Sequence, residues 1–212
     1  MNLQRTIKSI IYLTVLAWTI ALFVNGEPVH SSFLKPLSTT SSIVICAAMA
    51  FDLYFWKWRI FRWLVKRPVI EGTWAVEMVS DWRDPETGAG SKTIKGFMII
   101  RQTLTNLSMR QLTAESSSAL VGTELVCAPD GMYCVSGVYR NEPVFEFRLR
   151  SPIHYGAISL NVAEDESATT IAGHYWTDRK TGGTIALTKL TTEKYQSFAS
   201  ARSAFPEAAG EL

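Results

Sequence analysis

Three short clusters in the second half of the chain combine aromatic, amide, imidazole and guanidinium groups. They are Tyr139-Arg140-Asn141-Glu142-Pro143, His154-Tyr155-Gly156 and His174-Tyr175-Trp176-Thr177-Asp178-Arg179. Side chains of these types stack on the face of a base, bond its polar edge and neutralise phosphate. Arg179 and Arg140 are the candidates for phosphate, and Tyr175, Tyr139 or Trp176 for stacking; Asn141, Tyr155 and Thr177 complete the candidate binding set. The same residues also have an ordinary use, since Tyr and Trp fill barrel interiors and a strand-end Arg often only solvates a rim.

Signatures of catalysis are scarce. His30, His154 and His174 have no metal-ligand spacing, no Ser/His/Asp or Cys/His arrangement forms a motif, and no Gly-rich phosphate loop precedes a helix. The expectation is a binding protein rather than an enzyme, with no metal and no cofactor. Cys46, Cys127 and Cys134 suit a reducing compartment better than a disulfide scaffold. A two-residue Asp130-Gly131 turn would set Cys127 opposite Cys134, but Pro129 lacks the N–H that this ladder needs, so buried free thiols are expected.

The elements that must position the clusters are strands. From Pro68 onward apolar and polar residues alternate, with Trp74, Val76 and Met78 on one face and Thr73, Ala75 and Glu77 on the other. Further strands are predicted over Ile94 to Gln102, Leu107 to Ser116, Ala119 to Cys127, Met132 to Tyr139, Ile153 to Val162, Thr170 to Thr177 and Thr184 to Leu190, with a hairpin at Leu104-Thr105-Asn106. About eight consecutive antiparallel strands favour an up-and-down β-barrel, lipocalin-like in outline, whose interior is just large enough to fill with side chains or hold one small ligand. In the last strand cluster Tyr175, Thr177 and Arg179 share a face with Ile171 and Gly173, which places that face inside and sends His174, Trp176 and Asp178 outward.

Two apolar stretches precede this domain, Ser9 to Val24 and Leu37 to Trp56. Against the ~20 residues that a span requires, they predict a two-helix transmembrane hairpin. Arg5 and Lys8 flank the first; Lys57, Arg59, Arg62, Lys66 and Arg67 follow the second, so the positive-inside rule puts both termini in the cytoplasm. The net charge of +2 is therefore no sign of nucleic-acid polymer binding, because the N-terminal excess sits at the membrane boundary. Asp52, inside the second stretch, is a candidate for a membrane or oligomerisation role, and equally a carboxylate that reaches interfacial water. Ser38-Thr39-Thr40-Ser41-Ser42 with Ala47, Ala48 and Ala50 would let helices approach closely and self-associate. The predicted organisation is residues 1–67 as spans and basic juxtamembrane segment, 68–192 as cytosolic barrel and 193–212 as a poorly ordered tail.

Taken together, the two spans, Gly72-Thr73-Trp74 and the three clusters, with Ile153 and Gly173 extending the second and third, resemble the two-transmembrane β-barrel effectors of CBASS antiphage systems. The resemblance implies a bacterial inner-membrane protein whose barrel recognises a cyclic dinucleotide made by a partner CD-NTase. Ligand binding would then drive homo-oligomerisation, and the spans would disrupt the lipid bilayer and kill the infected cell. The alternative is a lipocalin-like, membrane-anchored binder of an apolar small molecule, suggested by Gly72-Thr73-Trp74, although such proteins are typically exported.

Overall fold

The computed structural model describes residues 8, 11, 12, 15, 16, 19, 20, 43–61, 63, 65–83, 88, 90, 93–163 and 170–210. It divides the chain into two compact units, Met1–Lys66 with Thr103–Thr105, and Arg67–Gln102 with Asn106–Leu212.

The second unit is a closed barrel of eight antiparallel strands in sequence order. They are β1 (Gly72–Ser80), β2 (Ile94–Gln102), β3 (Leu107–Leu112), β4 (Ser116–Cys127), β5 (Tyr133–Pro143), β6 (His154–Val162), β7 (Thr170–Thr177) and β8 (Gly182–Thr191). Each strand pairs with the next, and β1 closes the ring on β8, so no sheet edge is left open. The up-and-down barrel read from the alternation is thus the observed architecture.

Along the strands the inward positions change character from one end of the barrel to the other. Around the start of β1 they are apolar: Trp74, Val76, Ile100, Met109, Val135, Leu160, Ile171 and Leu187 form one buried cluster. The Trp74 indole N–H donates to the Ile70 carbonyl at 2.9 Å, which gives the only polar atom of that large ring a partner. Gln102 fastens the preceding segment from both sides of its amide, accepting from Ile70 N at 2.8 Å and donating to Pro68 O at 2.9 Å. At the opposite end the inward series turns polar, through Ser80, Gln111, Ser116, Ser118, Asn141, His154 and Thr177, and the barrel opens.

Three departures from the sequence expectations have plain causes. The predicted strand over Leu107 to Ser116 breaks after Leu112, because Thr113 Oγ1 accepts from Ser116 N at 3.0 Å and Thr113 N donates to Ser116 O at 2.9 Å, closing a turn. Cys127 faces Tyr133, and Val126 faces Cys134, so the connection is a five-residue loop rather than the two-residue turn. All three thiols are free, but Cys46 and Cys127 are exposed and Cys134 half-buried, not buried as expected.

In place of the expected loose tail there is a helix over Phe198–Ala204 and a 3-10 turn over Pro206–Ala209. Ser197 caps the helix in a reciprocal box with Ser200. Ala201 and Ala209 pack with Phe97, Ile99 and Leu112 on the outer face of the barrel, so the small residues that look featureless in sequence are what lets this segment lie close.

In the first unit residues 43–53 are helical and 3-10 turns follow at Phe55–Lys57 and Arg59–Phe61. Among the described residues no helix is long and apolar enough to cross a membrane. Most of the first expected span and the start of the second lie outside the described residues. Asp52 is engaged within this unit, its carboxylate accepting from Thr105 N at 2.8 Å and its carbonyl from Leu104 N at 3.0 Å, an intramolecular role that the sequence reading did not anticipate.

Candidate ligand-binding site

The open end of the barrel leads into a cavity of about 1430 Å³. That volume extends past the strand ends to the Pro206–Gly210 segment outside the barrel, and it has room for a ligand with several rings. Its wall is built from rows of side chains that the strand register brings level. Tyr139 lies opposite Gly156, and Gly156 opposite Thr177; one step further out Ser118 pairs with Asn141, and Asn141 with His154. Tyr175 lies between Ile158 and Gly183 one step deeper.

Five of the seven predicted binding residues line this cavity: Tyr139, Asn141, Tyr175, Thr177 and Arg179. The face assigned inward from Ile171 and Gly173 is the inward face, and Trp176 is accordingly exposed. Arg140 and Tyr155 are not brought to the cavity. They pair with each other across β5 and β6 on the outer surface, because each is the sequence neighbour of an inward residue. Arg140 instead forms an ion pair with Glu142 at 3.0 Å.

Each inward group is held and tuned. Burial pushes the Tyr139 phenol up to about 12, with the neighbouring Tyr175 adding to the shift and Arg179 opposing it. Burial likewise raises Tyr175, partly offset by a hydrogen bond with Ser80. Both are neutral phenols at physiological pH, able to stack and to donate. Asn141 Oδ1 accepts from Ser118 Oγ at 2.8 Å, which commits the carbonyl side of the amide and leaves its N–H₂ as the group for a ligand. Arg179 leaves the β7–β8 turn, where Lys180 takes a left-handed backbone, and donates from Nη1 to Ser151 Oγ at 3.3 Å.

His154 belongs to the site although it was not among the predicted binding residues. Its Nδ1 lies 3.1 Å from the Pro152 carbonyl, which can only accept, so Nδ1 carries the proton and Nε2 is the acceptor. Burial holds the imidazole below its ordinary pKa, the Pro152 bond working against the shift and Arg179 with it. A depressed histidine pKa means the unfolded chain binds that proton more tightly. Barrel stability should therefore be full above the ordinary value of about 6.5 and fall as pH drops through the window beneath it. His154→Gln should flatten this dependence, read as a smaller difference in denaturation midpoint between about pH 5 and about pH 7.5 than the wild type shows. An unchanged difference would show that His154 does not titrate with folding.

Strict alternation in β6, where His154, Gly156, Ile158, Leu160 and Val162 share the inward face, is the signal that finds His154. Arg150 and Ser151 also reach the cavity wall, but from an irregular loop where no periodicity exists to place them. Among the described residues no group of three or more His, Cys, Asp or Glu side chains could hold a metal ion. The arrangement suits a ligand with aromatic faces, polar edges and negative charge.

Comparison with known proteins agrees with this geometry. Residues 65–189 match the family described as Cap15, cyclic dinucleotide receptor domain. CD-NTase-associated protein 15 of Staphylococcus schleiferi is 24% identical over 189 residues, an alignment that takes in 89% of this chain and 98% of that protein. Matched from just before β1 almost to the end of β8, the chain belongs to the Cap15 cyclic dinucleotide receptor domain family and is a CBASS effector of the Cap15 type.

Proposed function

We propose that the polar end of the barrel binds a cyclic dinucleotide supplied by a CD-NTase, and that this event gathers copies of the chain so that their N-terminal segments disrupt the bacterial inner membrane. The observation that carries the reading is the meeting of Tyr139, Tyr175, Asn141, Thr177 and Arg179 in one cavity. A cyclic dinucleotide has two bases to be stacked and edge-bonded and two phosphates to be neutralised, and the cavity offers a group for each task. The apolar stretches Ser9 to Val24 and Leu37 to Trp56, flanked by basic residues on one side, support a two-span anchor with the barrel and both termini in the cytoplasm. The polar lining speaks against the lipocalin-like alternative, since an apolar ligand would leave these groups unpaired.

The test is a titration of the full chain in detergent against cyclic dinucleotides with adenine, guanine and uracil bases, read by calorimetry and sedimentation. Tight binding of one of them, coupled to a rise in sedimentation rate, is expected. Arg179→Ala should weaken that binding by about tenfold or more, the worth of a charge-assisted phosphate contact, with an unchanged melting temperature. Unchanged affinity would remove Arg179 from the site. Ligand-dependent dye release from vesicles carrying the full chain tests the membrane step, and release that ignores the ligand would refute the trigger.

A further inference from the structure

The mouth of the cavity carries a second guanidinium whose counter-ion also belongs to the cavity wall. Arg150, on the β5–β6 loop, forms an ion pair from Nη2 with Oε2 of Glu115, on the β3–β4 turn. Its guanidinium also sits 5.2 Å from the centre of the Phe147 ring, and Phe147 lines the cavity as well. Glu115 is held in a turn braced by Thr113 and Ser116, and its carbonyl accepts from Val144 N at 2.8 Å, which fastens this turn to the end of β5. The residue next to Arg150 is Ser151, to which Arg179 donates. Two cations from separate loops therefore converge on one stretch of rim, and among the described residues only Arg150 has a carboxylate partner.

An ion pair this exposed, with side chains 67% and 53% accessible, contributes little to stability. What such a pair does well is exchange. Arginine presents a planar fork that suits phosphate at least as well as carboxylate, so a phosphate arriving at the rim can take the place of Glu115 on it. Phe147 beneath the guanidinium would keep Arg150 oriented through that exchange.

We propose that Arg150 is a phosphate-binding residue of the cavity mouth and that Glu115 is its competing counter-ion, occupying the guanidinium until an anionic ligand displaces it. This rests on the reading of the cavity as a cyclic dinucleotide site. It assigns the second phosphate of such a ligand to Arg150, the first being taken by Arg179, and Glu115 neutralises Arg150 until that phosphate arrives. Weakly anionic or singly charged nucleotides then fail to outbid Glu115, so the exchange favours ligands that present two phosphates at once.

The experiment measures affinity at low salt for the full chain, Glu115→Gln, Arg150→Ala and the double variant, using whichever cyclic dinucleotide of the panel above binds the wild type. Glu115→Gln should bind roughly fivefold tighter, the scale of an exposed ion pair removed from competition, and Arg150→Ala about tenfold weaker. The double variant should match Arg150→Ala, because without the guanidinium there is nothing to compete for. Tightening by Glu115→Gln that persists without Arg150, or no tightening at all, overturns the competition. Unchanged affinity in Arg150→Ala overturns the phosphate assignment while the site itself stands. A wild type that binds no member of the panel overturns both the site reading and this inference. Both positions are exposed, so unchanged melting temperatures verify that the variants are folded.

Discussion

Gly156→Ala should abolish ligand stacking in a barrel that still closes. A Cβ at this position would lie 2.4 Å from both Cζ and the hydroxyl oxygen of Tyr139 and 2.5 Å from the Trp176 carbonyl oxygen. Gly156 faces inward between β5 and β7, so the Tyr139 ring rests directly over its backbone. The added methyl must push the ring off that shelf and into the space a base would occupy. Loss of one base–aromatic stack corresponds to about 1–3 kcal/mol, or roughly five- to a hundredfold in affinity. Overpacking a well-filled interior adds a stability cost of about 1–3 kcal/mol. Tyr139→Ala separates the two effects, since it should lose the stack without the clash. The double variant should be more stable than the sum of the single effects, because the ring clash has gone, yet less stable than Tyr139→Ala, because the contact with the Trp176 carbonyl remains. Gly156→Ala with wild-type affinity and melting temperature would show that the Tyr139 ring has no required position.

How much of this could be read from the sequence depended on whether a residue sat in an unbroken period. β2 and β7 were legible to the residue, Ile94–Gln102 and Thr170–Thr177, since Gly96 and Gly173 do not interrupt the runs of strand-forming residues around them. The start of β4 was not, because Ser116, Ser117 and Ser118 carry no hydrophobic contrast and only the Thr113 turn reveals the break. The candidate site shows the same division. Tyr175 and Thr177 lie on the inward face that Ile171 and Gly173 identify, and Arg179, exposed in the turn beyond β7, reaches the cavity rim. Arg140 and Tyr155 were chosen as members of a cluster contiguous in sequence, whereas a strand sends contiguous residues to opposite sides. Arg150 lies in a loop, and its pairing with Glu115 joins residues 35 apart in sequence, a contact that only the closed barrel brings about. The C-terminal helix was missed for a related reason: Ala201 and Ala209 have almost no hydrophobic signal of their own, and their value lies in fitting against Phe97.

Trp74→Ala should be the most destabilising single change in the barrel. The ring is fully buried at the closed end, among Ile70, Ile100, Leu187 and their neighbours, and Lys189 Nζ lies 5.6 Å from its centre. Truncation leaves a cavity too well braced by surrounding strands to collapse, and such changes cost about 3–5 kcal/mol. For a domain of this size the melting temperature should fall by on the order of 10 °C. Trp74→Phe should cost less, keeping most of the buried area but leaving the Ile70 carbonyl without its donor, a penalty of about 1–3 kcal/mol. The ligand should be indifferent to both, because Trp74 is at the end of the barrel away from Tyr139, Asn141 and Arg179 and does not line the cavity. Calorimetry well below the lowered melting temperature should therefore return the wild-type affinity for Trp74→Ala. A large loss of affinity in the folded variant would mean that the plug and the site are coupled. Unchanged affinity would leave the barrel as two ends with separate duties, one that holds the strands closed and one free to vary with its ligand.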